Sequence, residues 1–96
     1  MAVAENAILI DIRTPQEVSE GYIKNAKNID YYNDSFMDKI NELDKNQPIY
    51  LYCRSGGRSG KALIMLKDEG FMEVYNLLGG FNGWKSSGND ILVPPQ

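Results

Sequence analysis

Short apolar runs alternate along this chain with stretches whose apolar positions recur every three or four residues. Ile8-Leu9-Ile10 is an unbroken apolar run closed by Asp11, and it reads as a buried strand. Thr14-Pro15-Gln16-Glu17 follows, with a cap residue, a proline suited to the first helical position and a glutamate placed to complete a capping box. A short helix is therefore predicted here, ended by Gly21. A brief strand is expected around Ile29, within residues 27–30. Asn33-Asp34-Ser35 offers caps, and Phe36, Met37, Ile40 and Leu43 recur at helical spacing, so a second helix is predicted over about 35–44. Ile49-Tyr50-Leu51-Tyr52 is a β-branched and aromatic strand that runs straight into Cys53. A third helix carries Ala62, Leu63, Met65 and Leu66 and stops at Gly70. Residues 74–77 form a last strand, Gly79-Gly80 a turn, and 81–86 a short helix containing Trp84. The end of the chain, 89–96 with Pro94-Pro95, reads as surface coil.

Strands alternating with helices imply an α/β fold, with a central parallel sheet covered by helices on both faces. The 96 residues suffice for one domain. The expected organisation is an extension over 1–7, the domain over 8–88 and a tail over 89–96. In open parallel sheets reactive groups collect at the carboxyl ends of the strands. Cys53 stands at one such end, and Asp11 and Arg13 at another.

Composition narrows the chemistry. The net charge of −3 argues against nucleic acid as a main partner, because phosphate binding draws on surplus Lys and Arg. There is one cysteine and no histidine. A lone cysteine makes no internal disulfide, and the lack of histidine removes a Cys-His nucleophilic pair and every His-containing zinc site. No metal and no cofactor are expected. No apolar run approaches the ~18 residues of a membrane span, so no membrane partner is expected either. Residues 1–7 have neither a basic start nor an apolar core of the kind a signal peptide needs. An exported origin stays open if a leader has been removed, which leaves cytoplasm and periplasm both possible. A monomer is expected.

The candidate site is Cys53-Arg54-Ser55-Gly56-Gly57-Arg58-Ser59, between a strand and a helix. Gly56 and Gly57 let the backbone curl so that successive N–H groups point inward and form an anion nest. The positive end of the following helix adds to it. Helix starts and nearby cations lower cysteine pKa values to about 3.5–7.5 in other proteins. No base is then required. Arg54 and Arg58 are two of only three arginines in the chain, and arginine suits oxyanions. A lone cysteine after a strand is ordinarily a small buried hydrophobe. The flanking arginines and glycines favour a reactive residue instead, partly exposed at the loop. Arg13 has two readings: an ion pair with Glu17 four residues on, or a supporting role at the site together with Asp11.

On these motifs the sequence resembles the rhodanese superfamily. Ile8-Leu9-Ile10-Asp11-Ile12-Arg13-Thr14-Pro15-Gln16-Glu17 is similar to its first signature, and 21–29 to the Gly-His-Ile-x-Gly-Ala-x-Asn-Ile segment that follows. Residues 50–59 resemble the active-site strand and loop, and Leu77-Leu78-Gly79-Gly80-Phe81-Asn82-Gly83-Trp84 the closing signature. The resemblance implies a short single-domain thiosulfate sulfurtransferase. Cys53 would accept a sulfane sulfur as a persulfide, cradled by the backbone of Arg54, Ser55, Gly56, Gly57 and Arg58. The implied partners are a small sulfur donor, thiosulfate, and a thiophilic acceptor, either cyanide or a thiol; a protein acceptor is a further possibility. Tyr22 and Asn25 stand where the family carries His and Gly, and altered packing is expected there. Fuller family domains begin with an extra strand and helix, whereas seven residues precede Ile8, so a trimmed N-terminus is expected.

Two other functions compete. One is a sulfur carrier or interaction module loaded by a partner protein, with little turnover of its own. The other is a cysteine-dependent phosphatase. Phosphatase loops are one residue longer between Cys and Arg than the four residues between Cys53 and Arg58, and the tighter cradle suits a single sulfur atom.

Overall fold

A computed structural model describes residues 6–94. Most of the expected extension (residues 1–5), together with Pro95 and Gln96, lies outside them. Four strands form one parallel sheet: β1 (Ile8–Asp11), β2 (Lys27–Asn28), β3 (Ile49–Tyr52) and β4 (Val74–Asn76), in the order β2-β1-β3-β4. Three helices connect them, α1 (Pro15–Val18), α2 (Phe36–Asn41) and α3 (Gly57–Asp68), and α4 (Gly80–Ser86) follows β4. The α/β architecture with a central parallel sheet is as expected.

The apolar runs in β1 and β3 are explained by burial on both faces. Ile10, Ile49, Leu51 and Cys53 pack with Phe36 and Ile40 of α2 and Ala62 and Leu66 of α3. Leu9 and Tyr52 pack on a second cluster with Ile23 and Phe81, which Trp84 and Ile91 flank. Successive strand residues point to opposite faces, so a run apolar at every position supplies both clusters. At about 25 cal/mol per Å2, a fully buried Ile or Leu contributes roughly 1.5–3 kcal/mol.

Element boundaries depart from the sequence reading in instructive ways. The α2 helix stops at Asn41, because its last turn tightens: Leu43 N–H donates to the Ile40 carbonyl at 3.0 Å, a three-residue closure. Leu43 still packs against the core. Asn33 supports the start of α2, its side chain accepting from Ser35 N–H and its carbonyl from Phe36 N–H, while the Ser35 side chain makes no capping bond. The strand around Ile29 shortens to Lys27–Asn28, although Ile29 N–H still reaches the Asp11 carbonyl at 3.0 Å.

The segment after α4 is more than surface coil. Leu92 and Tyr22 exchange two backbone hydrogen bonds of 2.8 Å as an antiparallel bridge. Ile91 packs on the second core cluster, and Trp84 Nε1–H donates to the Asp90 carbonyl. Tyr22 thus meets the tail through its backbone. Asn25 has φ 70, the left-handed conformation that suits the glycine of the resembled motif and that asparagine also tolerates. Both departures from the family pattern are accommodated locally.

Candidate active site

The carboxyl ends of β1, β3 and β4 lie side by side, and the residues just beyond them build one corner of the molecule. Between β3 and α3 the chain turns sharply through Gly56, whose φ of 111 lies where side chains are strained. This turn brings Gly56 N–H to the Cys53 sulfur at 3.1 Å. The start of α4 braces the same turn from behind. A Cβ on Gly80 would sit 2.6 Å from the Cys53 carbonyl oxygen, so only glycine fits. That close approach lets Phe81 N–H donate to the Cys53 carbonyl at 2.8 Å and Asn82 N–H to the Arg54 carbonyl at 3.0 Å. The Leu77–Trp84 motif therefore fixes the loop backbone from a distant part of the sequence.

The partners of the Cys53 sulfur are hydrogen-bond donors. Besides Gly56, the Ser59 hydroxyl in the first turn of α3 lies at 3.4 Å. Burial alone would push the thiol up. The Ser59 hydroxyl and the backbone N–H groups of Ser59, Gly56 and Ser55 outweigh that, and the thiol lies below its ordinary value. The residue is only 1% exposed, where partial exposure was expected. The reason is its position: it continues β3 and packs with Ile10, Ile12 and Ala62 before the loop rises above it.

The two loop arginines are placed differently. Arg58 is half-buried, and its guanidinium holds both carboxylate oxygens of Glu17 at 2.8 Å, a bidentate pair. It also lies over the Tyr32 ring. Glu17 completes the capping box with Thr14, so one side chain ties the start of α1 to the start of α3. The Arg58 hydrogen bonds hold the Glu17 carboxyl down, at about 2. Arg54 is exposed and borders a cleft of about 170 Å3 that Arg13, Glu17, Glu20, Phe81, Asn82 and Lys85 also line. Ser55 and Gly57 are exposed on the outside of the turn.

Asp11 and Arg13 form a separate unit. Of the two readings of Arg13, the ion pair with Glu17 gives way to one with Asp11. The Asp11 carboxylate accepts from Arg13 Nη2 at 2.7 Å, from Nε and from the Arg13 backbone N–H. Arg13 gives its remaining Nη2 proton to the Gly21 carbonyl at 2.6 Å and stacks on Phe81 at 4.1 Å. It precedes α1, so the i, i+4 geometry of a helix face never applied to it. Both side chains are almost wholly buried, and their hydrogen bonds go to each other and to backbone rather than to the Cys53 sulfur. Asn28 closes the unit by donating to the Asp11 and Arg13 carbonyls, both at 2.9 Å.

Sequence reasoning gave three residues no role at the sulfur or its supports. Glu17 had a local role in the capping box that hid its long-range partner. Ser59 closes the candidate segment, in the first turn of α3, and the sequence assigned it no part of its own there. Asn76 ends β4 and reaches the Ser59 hydroxyl at 2.6 Å. The available signal for Asn76 was a polar residue near the carboxyl end of the last predicted strand.

Comparison with known proteins agrees with this geometry. The family model for the rhodanese-like domain matches residues 1–87. A protein named sulfurtransferase from Allochromatium vinosum is 35% identical over 98% of this chain and 86% of its own length. Thiosulfate sulfurtransferase GlpE of Pseudomonas entomophila is 38% identical over 88% of this chain and 75% of its own length. The crystal structure of a rhodanese-like domain protein from Staphylococcus aureus superposes with a TM-score of 0.80 at 31% identity, covering 96% of this chain and 85% of that one. With a cysteine loop braced at the carboxyl edge of a parallel sheet and a family match over nearly the whole sequence, the chain belongs to the rhodanese-like domain family.

Proposed function

We propose that the chain is a sulfurtransferase that takes a sulfane sulfur from thiosulfate, or a similar donor, onto Cys53 and passes it to a thiophilic acceptor such as cyanide or a thiol. The observation that carries this reading is the Cys53 sulfur surrounded by donors at the start of α3, in a chain without histidine. Such an environment stabilises a thiolate without a side-chain base. The thiolate attacks the outer sulfur of thiosulfate. A sulfur–sulfur bond forms to Cys53, the bond to the sulfonate breaks, and its electron pair leaves with sulfite. The acceptor then attacks the outer sulfur of the persulfide, and the electron pair of that bond returns to Cys53 as thiolate. Inward N–H groups of the loop stabilise the anion in both states. The cleft beside the loop carries Arg54 and Lys85 together with Glu20, and the Arg54 charge, adjoining Cys53 in sequence, is the one that favours an anionic donor. The near-complete burial of Cys53 suits transfer of one atom and counts against phosphoryl transfer.

Incubation with thiosulfate and no acceptor should add one sulfur atom to the intact mass, and cyanide should remove it. Cys53→Ser should abolish both the gain and turnover, because nothing beside a serine hydroxyl would activate it. Turnover of thiosulfate by Cys53→Ser would end this reading.

A second reading, a carrier loaded by a partner protein, is favoured by one observation. Leu78 is 85% exposed next to Gly79, whose N–H nitrogen lies 3.9 Å from where a Gly56 Cβ would be. An exposed apolar side chain beside the loop suits a protein surface better than a small anion. Turnover with thiosulfate and cyanide but no partner protein, near an ordinary enzyme rate of about 10 s−1, would dismiss it.

A further inference from the structure

Ser59 has one hydroxyl proton and three acceptors in reach. Asn76 Oδ1 lies at 2.6 Å, the Gly56 carbonyl at 3.3 Å and the Cys53 sulfur at 3.4 Å. A hydroxyl donates one hydrogen, and O–H···O bonds are commonly about 2.7–2.8 Å. While the thiol is neutral, the short contact to Asn76 takes the proton. The orientation of the carboxamide is fixed from its other end: Asn76 Nδ2 faces the Gly56 carbonyl at 3.4 Å. Turned over, it would set its oxygen against that carbonyl oxygen, two acceptors opposed.

Ionisation of Cys53 changes the competition. A charged acceptor makes a hydrogen bond roughly twice as strong as a neutral one. The Ser59 proton reaches a thiolate only by leaving Asn76. We propose that Asn76 is a positioning residue for Cys53, competing with the sulfur for the single Ser59 proton and so restraining the cysteine until it is charged. Its meaning for catalysis rests on the sulfurtransferase reading, whereas the competition itself does not. In that cycle the inner sulfur is an anion before uptake and neutral within the persulfide. The hydroxyl would then turn toward Cys53 in the first state and back to Asn76 in the second, with no bond made or broken. The charged groups around Cys53 are Arg58 of α3, bound by Glu17 from α1, and Arg54 in the loop. Asp11 and Arg13 beyond β1 neutralise each other. None of these differs among the variants below.

The test reads the pH dependence of Cys53 alkylation by iodoacetamide, which needs no sulfur donor and, with a single cysteine, reports one site. Ser59→Ala removes the donor and should raise the midpoint. Asn76→Ala removes the competitor and should lower it. Asn76→Asp is nearly isosteric; its carboxylate holds the Ser59 proton harder and adds negative charge, so the midpoint should rise. Each shift is expected to be near one unit, about a tenfold change in rate at fixed pH below the midpoint. In a Ser59→Ala background, Asn76→Ala should move nothing. A merely structural Asn76 would shift the midpoint in the same direction as Ser59→Ala, or not at all, and either result overturns the proposal. So does an Asn76→Ala effect that persists without the Ser59 hydroxyl. Because Asn76→Ala opens space beside Gly60, a poorly folded variant leaves the sign for Asn76→Asp to decide, with an unmoved or lowered midpoint counting against the proposal. Opposite shifts in a protein that takes up no sulfur would support the competition while sinking the sulfurtransferase reading.

Discussion

Two corners built on neighbouring strand ends dispose of their charges in opposite ways. Beyond β1, Arg13 and Asp11 satisfy each other at 2.7 Å, Arg13 caps the Gly21 carbonyl and covers Phe81, and neither side chain is more than 4% exposed. Beyond β3, hydrogen-bond donors gather around the Cys53 sulfur instead of a carboxylate. Arginine occurs in both segments, so its presence alone does not separate them. What separates them is whether a carboxylate already occupies the donors. Asp11 fills the first corner, and Glu17 fills Arg58 from the side, whereas among the described residues no carboxylate pairs with Arg54 or the loop N–H groups in the second.

The sharpest break of this contrast is Arg13→Ala. It leaves the Asp11 carboxylate buried without its cation, which typically costs about 3–5 kcal/mol, a large share of the 5–15 kcal/mol of an ordinary domain. The urea midpoint should fall steeply. Replacing both partners, Asp11→Asn with Arg13→Met, should recover part of the loss because no unpaired charge remains. If Arg13→Ala kept its stability but lost sulfur uptake, the first corner would belong to the reactive site after all.

Glu17 and Arg58 join the corners and give a milder, pH-dependent effect. The hydrogen bonds from Arg58 hold the Glu17 carboxyl at about 2, against an ordinary value of 4.5, while burial opposes them. A carboxyl held down in the folded state stabilises fully above its unfolded value. That contribution fades as pH falls from about 4.5 toward about 2. The pair is partly solvated, so about 1 kcal/mol is expected at neutral pH. Urea melts between pH 5 and pH 2 should show a shallower loss for Glu17→Gln than for the unaltered chain. Equal slopes would mean that the pair does not couple α1 to α3. Arg58→Ala should also lower kcat, since it frees the start of the helix that supplies the loop donors.

How much of this was legible followed the range of the interactions. The β1 and β3 runs, the Thr14–Glu17 capping box and the Cys53 loop are written in contiguous residues, and each appears where its pattern places it. Failures came where a local pattern met a distant competitor. Arg13 and Glu17 stand four apart, but the helix begins only at Pro15, and each found a better partner: Asp11 at the strand end and Arg58, 41 residues away. The tail looked like coil because the apolar run Ile91-Leu92-Val93 is closed at once by Pro94-Pro95. The meaning of Ile91 and Leu92 lies in the groove beside Tyr22 and Phe81, which exists only after folding. The Ser59–Asn76 contact joins two polar residues 17 apart, a pairing that the parallel neighbours β3 and β4 create and that no periodicity announces.

The smallest expected effect tests the exposed half of the comparison. Arg54 adjoins Cys53 in sequence, yet its side chain stands in solvent beside Asn82 and Lys85, while Arg58 is held by Glu17. An exposed charge acts on an anionic donor through water and salt, over a screening length of about 8–10 Å. Surface attraction of this kind amounts to ~0.5–1 kcal/mol, so Arg54→Ala should raise KM for thiosulfate roughly two- to fivefold. The value of kcat should hardly move, because no loop hydrogen bond depends on that side chain, only on the Arg54 carbonyl held by Asn82. The dependence of kcat/KM on salt should also flatten, since one of the steering charges is gone. Initial rates at several salt concentrations measure all three quantities. A fall in kcat with KM unchanged would place Arg54 among the groups that hold the loop and erase its distinction from Arg58. An unchanged KM with an unchanged salt slope would move the recognition of the donor's sulfonate onto the loop N–H groups and Lys85.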